Sequence, residues 1–573
     1  MASFNQTTLP IGVEKQSNVN MSGFYVGTTD FGRMDVVYHT ELIRGDNVTL
    51  NLKSMLRAAP MPCPTFSKFR YSLRAFFVPH RILTSPESNG TSTFSWNEWL
   101  NGQTSDSHPY FSLSSLKLVY AGSDSANALT SSLPSWRDAA RLASQLRFPS
   151  YVYNMGKGTT IPSGVTPRFN PFPAAAYQRI YWDWYRDSNL IDDSQIRSYC
   201  PLLPSGELSA ALSLPYLTPR YCCWDKDYFT TAKLYPQSGS SSANIGSASG
   251  ALTDVYQAKN VQNSSGNLVN TSNTSSKIPY QLVRTAEALQ KYLERNNLAG
   301  SRLIDRLIAR YGGSRDLVRL QMSEYLGSVT DNMVVGDITA SNDIDGSTSV
   351  SDNAFNLGSS KSIMGQQSGK SYGRLNSDTI TYHAAEFGTL MVISTLVPST
   401  GYYQGVDRAL TRGTDDDHFA YFTPEMQGLG YQPVYKSELY AEASSGSIFG
   451  FAPRYADYLF QPDVVSGDLV LSGTKTGMDG YHTFRQFTSV PTLTPSFTQI
   501  RPQDRDELDS RIFSITPKAA NSSDYGKVDH FVGYVDVDCL INRPIDSHKT
   551  PFLEMDASDH KQVSIPEGGT RMN

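Results

Sequence analysis

Short segments with a strand-like hydrophobic pattern lie near both ends of this chain, and they limit the folds it can adopt. In residues 69–78, FRYSLRAFFV, apolar side chains alternate with polar ones until Pro79 ends the run. Residues 388–397, GTLMVISTLV, form a continuous apolar run, and residues 531–541, FVGYVDVDCLI, alternate again. Such runs predict β-strands. A fold that uses all of them must pair strands that are several hundred residues apart.

Residues 33–53 contain a further alternating pattern, interrupted by Gly-Asp-Asn at positions 45–47. This pattern predicts a hairpin-like pair of strands. Between the terminal strands, residues 173–186 (PAAAYQRIYWDWYR) are aromatic and compatible with a helix, and residues 281–311 carry apolar side chains at helical spacing. Strands near both ends, with helices and long loops between them, are typical of sandwiches and jelly rolls whose loops have expanded.

Composition supports a mainly β protein. Charged residues make up 18% of the 573 residues, below the roughly 25% of an average globular chain. Aromatic residues make up 11%, which argues against a disordered chain, and the 42 Gly and 31 Pro argue against an all-helical one. The net charge of −5 excludes a protein that coats nucleic acid over its whole surface.

The sequence also constrains the location of the chain. No apolar run approaches the roughly 18 residues that span a membrane, so no membrane insertion is expected. Residues 1–23 are polar and lack the apolar core of a signal peptide, which predicts a chain made in a cytoplasm.

Sites for metal ions and catalysis are sparse. The five cysteines are odd in number and form no C-x-x-C pair, so free thiols are expected. Asp415, Asp416 and Asp417 are candidates for a Ca²⁺ site, although a solvated loop is the favoured interpretation. Gly369-Lys370-Ser371 resembles the end of a phosphate-binding loop, but Met364 stands where that loop needs glycine. We predict no catalytic residue, no cofactor and no enzymatic activity.

One segment of the chain is strongly basic. Between positions 44 and 81 seven basic residues stand against the single acid Asp46, a net charge of +6. The basic residues are Arg44, Lys53, Arg57, Lys68, Arg70, Arg74 and Arg81. Aromatic residues, among them Phe66, Phe69 and Tyr71, are interleaved with them. Cations beside aromatic rings suit single-stranded nucleic acid, so the seven are candidates for facing DNA. A charged strand face with core aromatics is an equally good interpretation.

Three further stretches read as insertions. Residues 236–276 are rich in Ser, Asn and Gly, with Asp254 and Lys259 as their charged residues. Residues 327–378 form a second polar insertion, and residues 281–327 a helical one. Because an uncharged, low-complexity stretch cannot form core, we expect residues 236–276 to lie outside the core.

Several motifs together resemble the major capsid protein of the microviruses, small icosahedral phages with single-stranded DNA, and within them the gokushovirus-like branch. The motifs are MLRAAPMP at 55–62, RAFFVPHR at 74–81, PAAAY at 173–177, YRDSNL at 185–190, DYFT at 227–230, QKYLER at 290–295, EYLG at 324–327, QGVDR at 404–408 and GYQ at 430–432. Each motif is short, but their shared order extends over roughly residues 30–545.

The resemblance implies an eight-stranded antiparallel jelly roll of the viral capsid type, with long insertions between strands. It implies that sixty copies form a T=1 shell around circular single-stranded DNA, and that an insertion protrudes at the threefold axes and contacts a host receptor. Residues 236–276 are the candidate for this protrusion, and residues 327–378 are the runner-up. A scaffolding protein and a small basic DNA-binding protein are the partners it implies. Assembly would take place in the cytoplasm of a host bacterium, and the chain would end up in the virion.

Two other functions remain open at this stage. A β-rich carbohydrate-binding or carbohydrate-active protein would explain the Tyr, Trp and Asp content, but it would need an export signal and a concentrated pair of carboxylates. A nucleic-acid-binding protein that acts as a monomer should be more basic than this chain.

Overall fold

The structure of the chain is a computed structural model. The described residues are 17–61, 63–86, 93–100, 107–113, 115–116, 141–148, 167–236, 291, 322–339, 367–412, 421–425, 430–444, 446–471, 478–501, 508, 511–513 and 529–544. The strands are β1 (Ser17–Asn20), β2 (Gly23–Thr29), β3 (Asp35–Leu42), β4 (Asn47–Ala58), β5 (Phe69–Pro79), β6 (Tyr110–Ser112), β7 (Arg168–Phe169), β8 (Glu207–Leu208), β9 (Glu324–Thr339), β10 (Gln367–Asn376), β11 (Ile380–His383), β12 (Gly388–Pro398), β13 (Tyr431–Tyr435), β14 (Ile448–Pro453) and β15 (Phe531–Arg543). The α-helices bounded within these residues are α1 (Trp96–Leu100), α2 (Phe172–Ile180), α3 (Ile196–Tyr199), α4 (Ala210–Leu217), α5 (Arg408–Thr411) and α6 (Pro495–Thr498).

Ten strands form one antiparallel sheet whose order differs from the order of the chain. Along the sheet the order is β3, β12, β5, β9, β10, β4, β15 and β1, while β2 also pairs with β15 and β11 with β4. The ten strands therefore occupy eight positions in the sheet, because β1 and β2 both lie beside β15, and β10 and β11 both lie beside β4. The first strand of the chain, β1, is the neighbour of the last, β15. Two four-stranded halves connected in this way are a jelly roll. The predicted eight-stranded antiparallel fold is confirmed.

Strand β9 joins the two halves of the jelly roll. Its first ten residues, 324–333, pair with β5, whereas its last six, 334–339, pair with β10. The inward side chains of both halves belong to one hydrophobic cluster, in which Leu52, Leu73, Ile393 and Val537 are fully buried. Each such side chain contributes roughly 1.5–3 kcal/mol through removal from water. The two halves of the sheet therefore enclose one core.

The predicted hairpin over residues 33–53 is correct in its strands but wrong in their pairing. Strand β3 pairs with β12, and β4 pairs with β15, β10 and β11, so the two consecutive strands lie in different halves. The connecting turn has Gly45 at φ +93°, and the Asp46 carboxylate accepts from the Ile43 amide at 3.0 Å and from Arg543 at 3.1 Å. Because both strands carry apolar faces, placing them in separate halves lets each face enclose the core.

The insertion between β5 and β9 packs a helix against the jelly roll. Helix α2 contacts β5 and β12, and its three alanines, at positions 174–176, are fully buried. The predicted helix over residues 173–186 is confirmed, and its second half is one π-helical turn, Tyr181–Tyr185. Within that turn the Asp183 carboxylate accepts from Arg179 at 2.9 Å and from the Ser323 amide at 2.8 Å. Asp183 thereby connects the helix to the segment that precedes β9.

The three predicted insertions fall largely outside the described residues. Of residues 236–276 the structure describes position 236 alone, and of residues 281–327 it describes 291 and 322–327, the last four of which begin β9. The ends of residues 327–378 form the rest of β9 and β10, with 340–366 outside the described part. The five cysteines are free, as predicted, and burial raises the pKa of Cys63, Cys222 and Cys223 to about 12 and that of Cys200 to about 11.

Candidate nucleic-acid interface

The interface begins with the alternation of β4, which lies between β15 and β10. The even-numbered residues from Val48 to Leu56 point into the core, so Lys53, Met55 and Arg57 lie on the opposite face. No other sheet in the described part of the chain covers this face, and Lys53 and Arg57 are exposed. Strand β4 thus presents two cations four positions apart at the centre of an open surface.

Neighbouring strands add aromatic rings and a further cation beside these residues. Arg57 lies opposite Tyr372 of β10 and Val532 of β15. In the next row Met55 lies opposite Arg374 and Tyr534. Directly opposed residues in an antiparallel pair have Cβ atoms roughly 4.5–5.5 Å apart. Two arginines and two tyrosines therefore form one compact patch, with Tyr372 65% and Tyr534 40% exposed.

We call this surface the open sheet face. It consists of Phe24 and Val26 of β2, Lys53, Met55 and Arg57 of β4, Lys370, Tyr372 and Arg374 of β10, and Val532 and Tyr534 of β15. A shallow groove of about 610 Å³ runs along β9 and β10 and is lined by the three β10 residues. Asp331 and Asp337 of β9 stand at its far side.

On the open sheet face, the arginines and the carboxylates lie in different rows, where a row is a set of residues that lie opposite one another on neighbouring strands. The two rows that hold Arg57 and Arg374 contain no carboxylate on β2, β15, β4 or β10. Carboxylates begin in the next row, where Asp536 lies opposite Lys53. The Lys53 ammonium donates to Asp538 at 2.9 Å, and this hydrogen bond raises the pKa of Lys53. Within the described part of the chain, Arg57 and Arg374 have no such partner.

The structure separates the seven predicted DNA-facing residues. Lys53 is paired with Asp538, Arg70 with Asp225, and Arg81 with Glu386 through two hydrogen bonds of 3.1 Å. The Arg74 guanidinium lies 5.5 Å from the ring centre of Tyr185. Arg44, Arg57 and Lys68 are exposed and have no partner among the described residues. Because β4 and β5 belong to different halves, the +6 segment does not form a single basic face.

The aromatic residues of the basic segment have a different role from its cations. Phe69, Tyr71, Phe76 and Phe77 are buried in the core, and burial raises the pKa of Tyr71 to about 12. Phe66 is 79% exposed and stacks on Tyr481, with ring centres 5.5 Å apart. For four of these five rings, the interpretation as core aromatics is therefore correct.

Sequence reasoning missed the contribution of β10. Lys370, Tyr372 and Arg374 alternate with period two, which is the signal of a strand with one polar face. That signal lies inside the stretch that the low-complexity composition marked as a polar insertion. Lys370 lies within β10, a strand between β9 and β4. A phosphate-binding loop would instead connect a strand to a helix, so Gly369-Lys370-Ser371 is not such a loop.

Other sites contribute little to a functional assignment. Asp415, Asp416 and Asp417 lie outside the described residues. Among the residues that the structure does describe, no three His, Cys, Asp or Glu side chains are grouped closely enough to hold a metal ion. A search of the described helices finds none with the length and hydropathy of a membrane span.

The open sheet face has the chemistry of a single-strand binding surface. Guanidinium and ammonium groups neutralise phosphates, and exposed rings stack on bases that are not paired. The surrounding fold, an eight-position jelly roll with long insertions between its strands, belongs to the class that includes viral coat proteins and lectins.

Comparison with known proteins identifies the family within this class. Residues 9–89 and 143–515 match the phage family model described as Capsid protein (F protein). The chain therefore belongs to this family of phage capsid proteins, and the predicted resemblance to the microvirus major capsid protein is confirmed. Membership favours the capsid over the carbohydrate-binding alternative.

Curated relatives carry the name Capsid protein VP1. The protein of Bdellovibrio phage phiMH2K is 23% identical over 529 residues, which cover 84% of this chain and 88% of that protein. The protein of Spiroplasma virus 4 is 21% identical over 592 aligned positions, covering 94% and 95%. The protein of Chlamydia phage 1 is 30% identical over 246 residues, covering 40% and 38%.

Proposed function

We propose that this structural capsid protein assembles as sixty copies into a T=1 shell that encloses circular single-stranded DNA. The observation that supports enclosure of DNA is the patch on the open sheet face in which Arg57 and Arg374 alternate with Tyr372 and Tyr534. A net charge of −5 rules out general attraction of nucleic acid. DNA binding must therefore be local, and this patch combines cations with accessible rings.

The contacts with DNA are made by part of the predicted set. Arg57 is the central residue, joined by Lys370 and Arg374, while Arg44 and Lys68 add charge elsewhere. Lys53, Arg70, Arg74 and Arg81 have partners within the chain, and their first role is to hold the jelly roll together. The genome is bound mainly through its backbone, so contact is independent of base sequence.

The test is the double substitution Arg57→Gln with Arg374→Gln, expressed so that particles form. We expect closed shells of normal diameter by electron microscopy and less DNA per shell, because two phosphate contacts are lost in every copy. Arg197→Gln with Lys226→Gln is the matched control, since it removes the same charge from exposed positions elsewhere. Equal DNA content in the two double variants would contradict the DNA-facing role.

Assembly itself has a separate readout. Purified protein should form closed shells of one small diameter, and a chain that remains monomeric at every concentration would contradict the capsid function. Because each copy carries −5, the shell cannot neutralise the genome alone. A small basic DNA-binding protein, and a scaffolding protein during assembly in the bacterial cytoplasm, supply what this chain lacks. Mass spectrometry of purified particles and of assembly intermediates would detect them.

Residues 236–276 are proposed as the protrusion that contacts the host receptor. Of the second candidate, residues 327–378, only 340–366 retain this role, because the ends of that stretch belong to β9 and β10. The support is compositional, since the first stretch is long, polar and nearly uncharged. Deleting residues 240–274 should leave shell formation intact and lower adsorption to host cells. Loss of shells in this variant would show that the stretch is required for assembly.

A further inference from the structure

The insertion between β12 and β15 carries a second exposed apolar surface. It consists of Leu410 (76% exposed), Tyr421 (62%), Phe422 (52%), Tyr458 (44%), Leu459 (91%) and Val464 (80%). We call it the insertion surface. Monomeric soluble proteins rarely expose large apolar patches without a binding function.

Contacts among these residues make the insertion surface continuous. The Arg412 guanidinium lies 3.9 Å from the ring centre of Tyr458 and pairs with Asp457. The Phe422 ring centre is 6.4 Å from that of Tyr458. Leu410 and Val464 line one cavity, and Asp457, the partner of Arg412, lines it as well. The surface is therefore one patch around an opening.

The cavity has a volume of about 320 Å³ and an aromatic wall. Tyr228 and Phe460 stack there with ring centres 5.1 Å apart. Tyr228 is 8% exposed, and its hydroxyl lies beside the Glu438 carboxylate. Stacked rings of this kind attract a guanidinium or ammonium group through their faces.

The charges of the cavity are unbalanced at one residue. Arg408 pairs with Glu438 at 3.0 Å, and Arg412 pairs with Asp457. Asp463 has no cationic partner among the described residues. Partial burial and the neighbouring Asp227 raise the pKa of Asp463. An uncompensated carboxylate beside stacked rings fits a guanidinium or ammonium group, which binds both.

We propose that the insertion surface binds a second copy of this chain, with a basic side chain of that copy entering the cavity beside Asp463. The inference rests on the proposed assembly into a shell. Nucleic acid is the less suitable occupant, because the described residues of this surface offer carboxylates and no exposed cation. The contact is heterologous, because the cavity of one copy binds a different surface of its neighbour. Heterologous contacts can close into rings of copies around a symmetry axis.

Two variants test the proposal. Asp463→Asn removes the charge in the cavity, and Leu459→Ser with Val464→Ser removes exposed apolar groups without touching the core. We expect both to purify as folded chains with unchanged melting temperature. The protein concentration at which shells first appear should rise at least about tenfold, since each lost contact is repeated across the assembly. Asp463→Glu keeps the negative charge, so it should raise this concentration less than Asp463→Asn does.

Controls and outcomes separate this proposal from the proposed function. Asp378→Asn and Leu234→Ser with Val490→Ser change exposed residues outside the insertion surface and should assemble like the unaltered chain. If the unaltered chain forms no shells, the proposed function and this inference both fail. If it forms shells and the insertion-surface variants form them at the same concentration, this inference alone is overturned.

Discussion

Arg33 and Asp529 lie 496 positions apart in the sequence, and two hydrogen bonds of 2.9 Å join their buried side chains. Arg33 also donates to Asp35 at 2.7 Å, and Arg141 donates to Asp529 at 3.0 Å. Arg33 precedes β3 and Asp529 precedes β15, so the pair fixes the start of the last strand against the first strands of the jelly roll. The Arg33 guanidinium holds the pKa of Asp529 well below its usual range.

Asp529→Asn should destabilise the folded chain strongly. The substitution leaves the Arg33 charge buried with less compensation, and breaking a buried pair in this way costs about 3–5 kcal/mol. The measurement is urea unfolding at pH 7. Asp378→Asn, at an exposed position, should change the free energy of unfolding by no more than about 0.5 kcal/mol.

The same pair predicts an acid dependence. Because the pKa of Asp529 is lower in the folded chain, its stabilising effect is complete above the unfolded pKa of about 3.9 and is lost as the pH falls further. The free energy of unfolding should therefore fall below pH 4 more steeply in the unaltered chain than in Asp529→Asn. Parallel pH profiles for the two proteins would contradict this assignment.

His80 predicts a second pH dependence in a higher range. It is buried against Trp96 and Phe172, hydrogen-bonded to Thr389, and burial lowers its pKa to about 3. In the unfolded chain His80 takes up a proton near pH 6.5, whereas in the folded chain it does so only near pH 3. The free energy of unfolding therefore decreases as the pH falls from 6.5 to about 3. His80→Gln should reduce that slope, by up to about 1.4 kcal/mol per pH unit. The measurement is the free energy of urea unfolding across this pH range, and equal slopes in the two proteins would contradict the assignment to His80.

Gly32 predicts a steric and conformational cost in the turn before β3. Its φ is +75°, and a Cβ would stand 2.3 Å from the Ile500 Cβ. Gly32→Ala should lower the free energy of unfolding by about 2–4 kcal/mol, through strain and overpacking together. Gly206 has a similar φ of +77° with open space around it, so Gly206→Ala measures the backbone contribution alone. Equal losses at both positions would show that the contact with Ile500 is unimportant.

Tyr372 predicts a stacking contribution to DNA binding. The ring is 65% exposed, so Tyr372→Ala should weaken binding of the purified chain to an oligothymidine without changing its melting temperature. Loss of one stacked base costs about 1–3 kcal/mol, whereas Tyr372→Phe should retain it. Tyr421→Ala, at an equally exposed ring on the insertion surface, should bind DNA normally. Equal weakening in both alanine variants would contradict the assignment.

Five of the ten strands in the large sheet were predictable, because each of them has a hydrophobic pattern that indicates which of its faces is buried. The alternation in residues 69–78 and 531–541 requires one face toward a core, and β5 and β15 have that face buried. Strand β10 escaped prediction because Lys370, Tyr372 and Arg374 alternate with small polar residues. Its inward positions include Ser371 and Leu375, so the apolar half of the signal is weak.

Strand pairing depends on contacts that local sequence does not describe. Residues 33–53 read as a hairpin, yet β3 and β4 lie in opposite halves, since each buries its apolar face best across the core. The basic segment likewise resembles one surface in the sequence, although its two strands lie in different halves. Three of its seven cations, Lys53, Arg70 and Arg81, pair with carboxylates more than 100 positions away.

The sequence by itself determined the strands β3, β4, β5, β12 and β15, the free cysteines, the helix at α2 and, through its ordered motifs, the family. These depend on local periodicity and on residue identity. The tertiary structure alone decided which cations remain available, that Arg57 meets Tyr372 and Arg374 lies in the next row, and that Asp463 faces an open cavity without a partner. Such relationships arise when a closed sheet brings distant strands into register, because burial and charge compensation depend on neighbours in space.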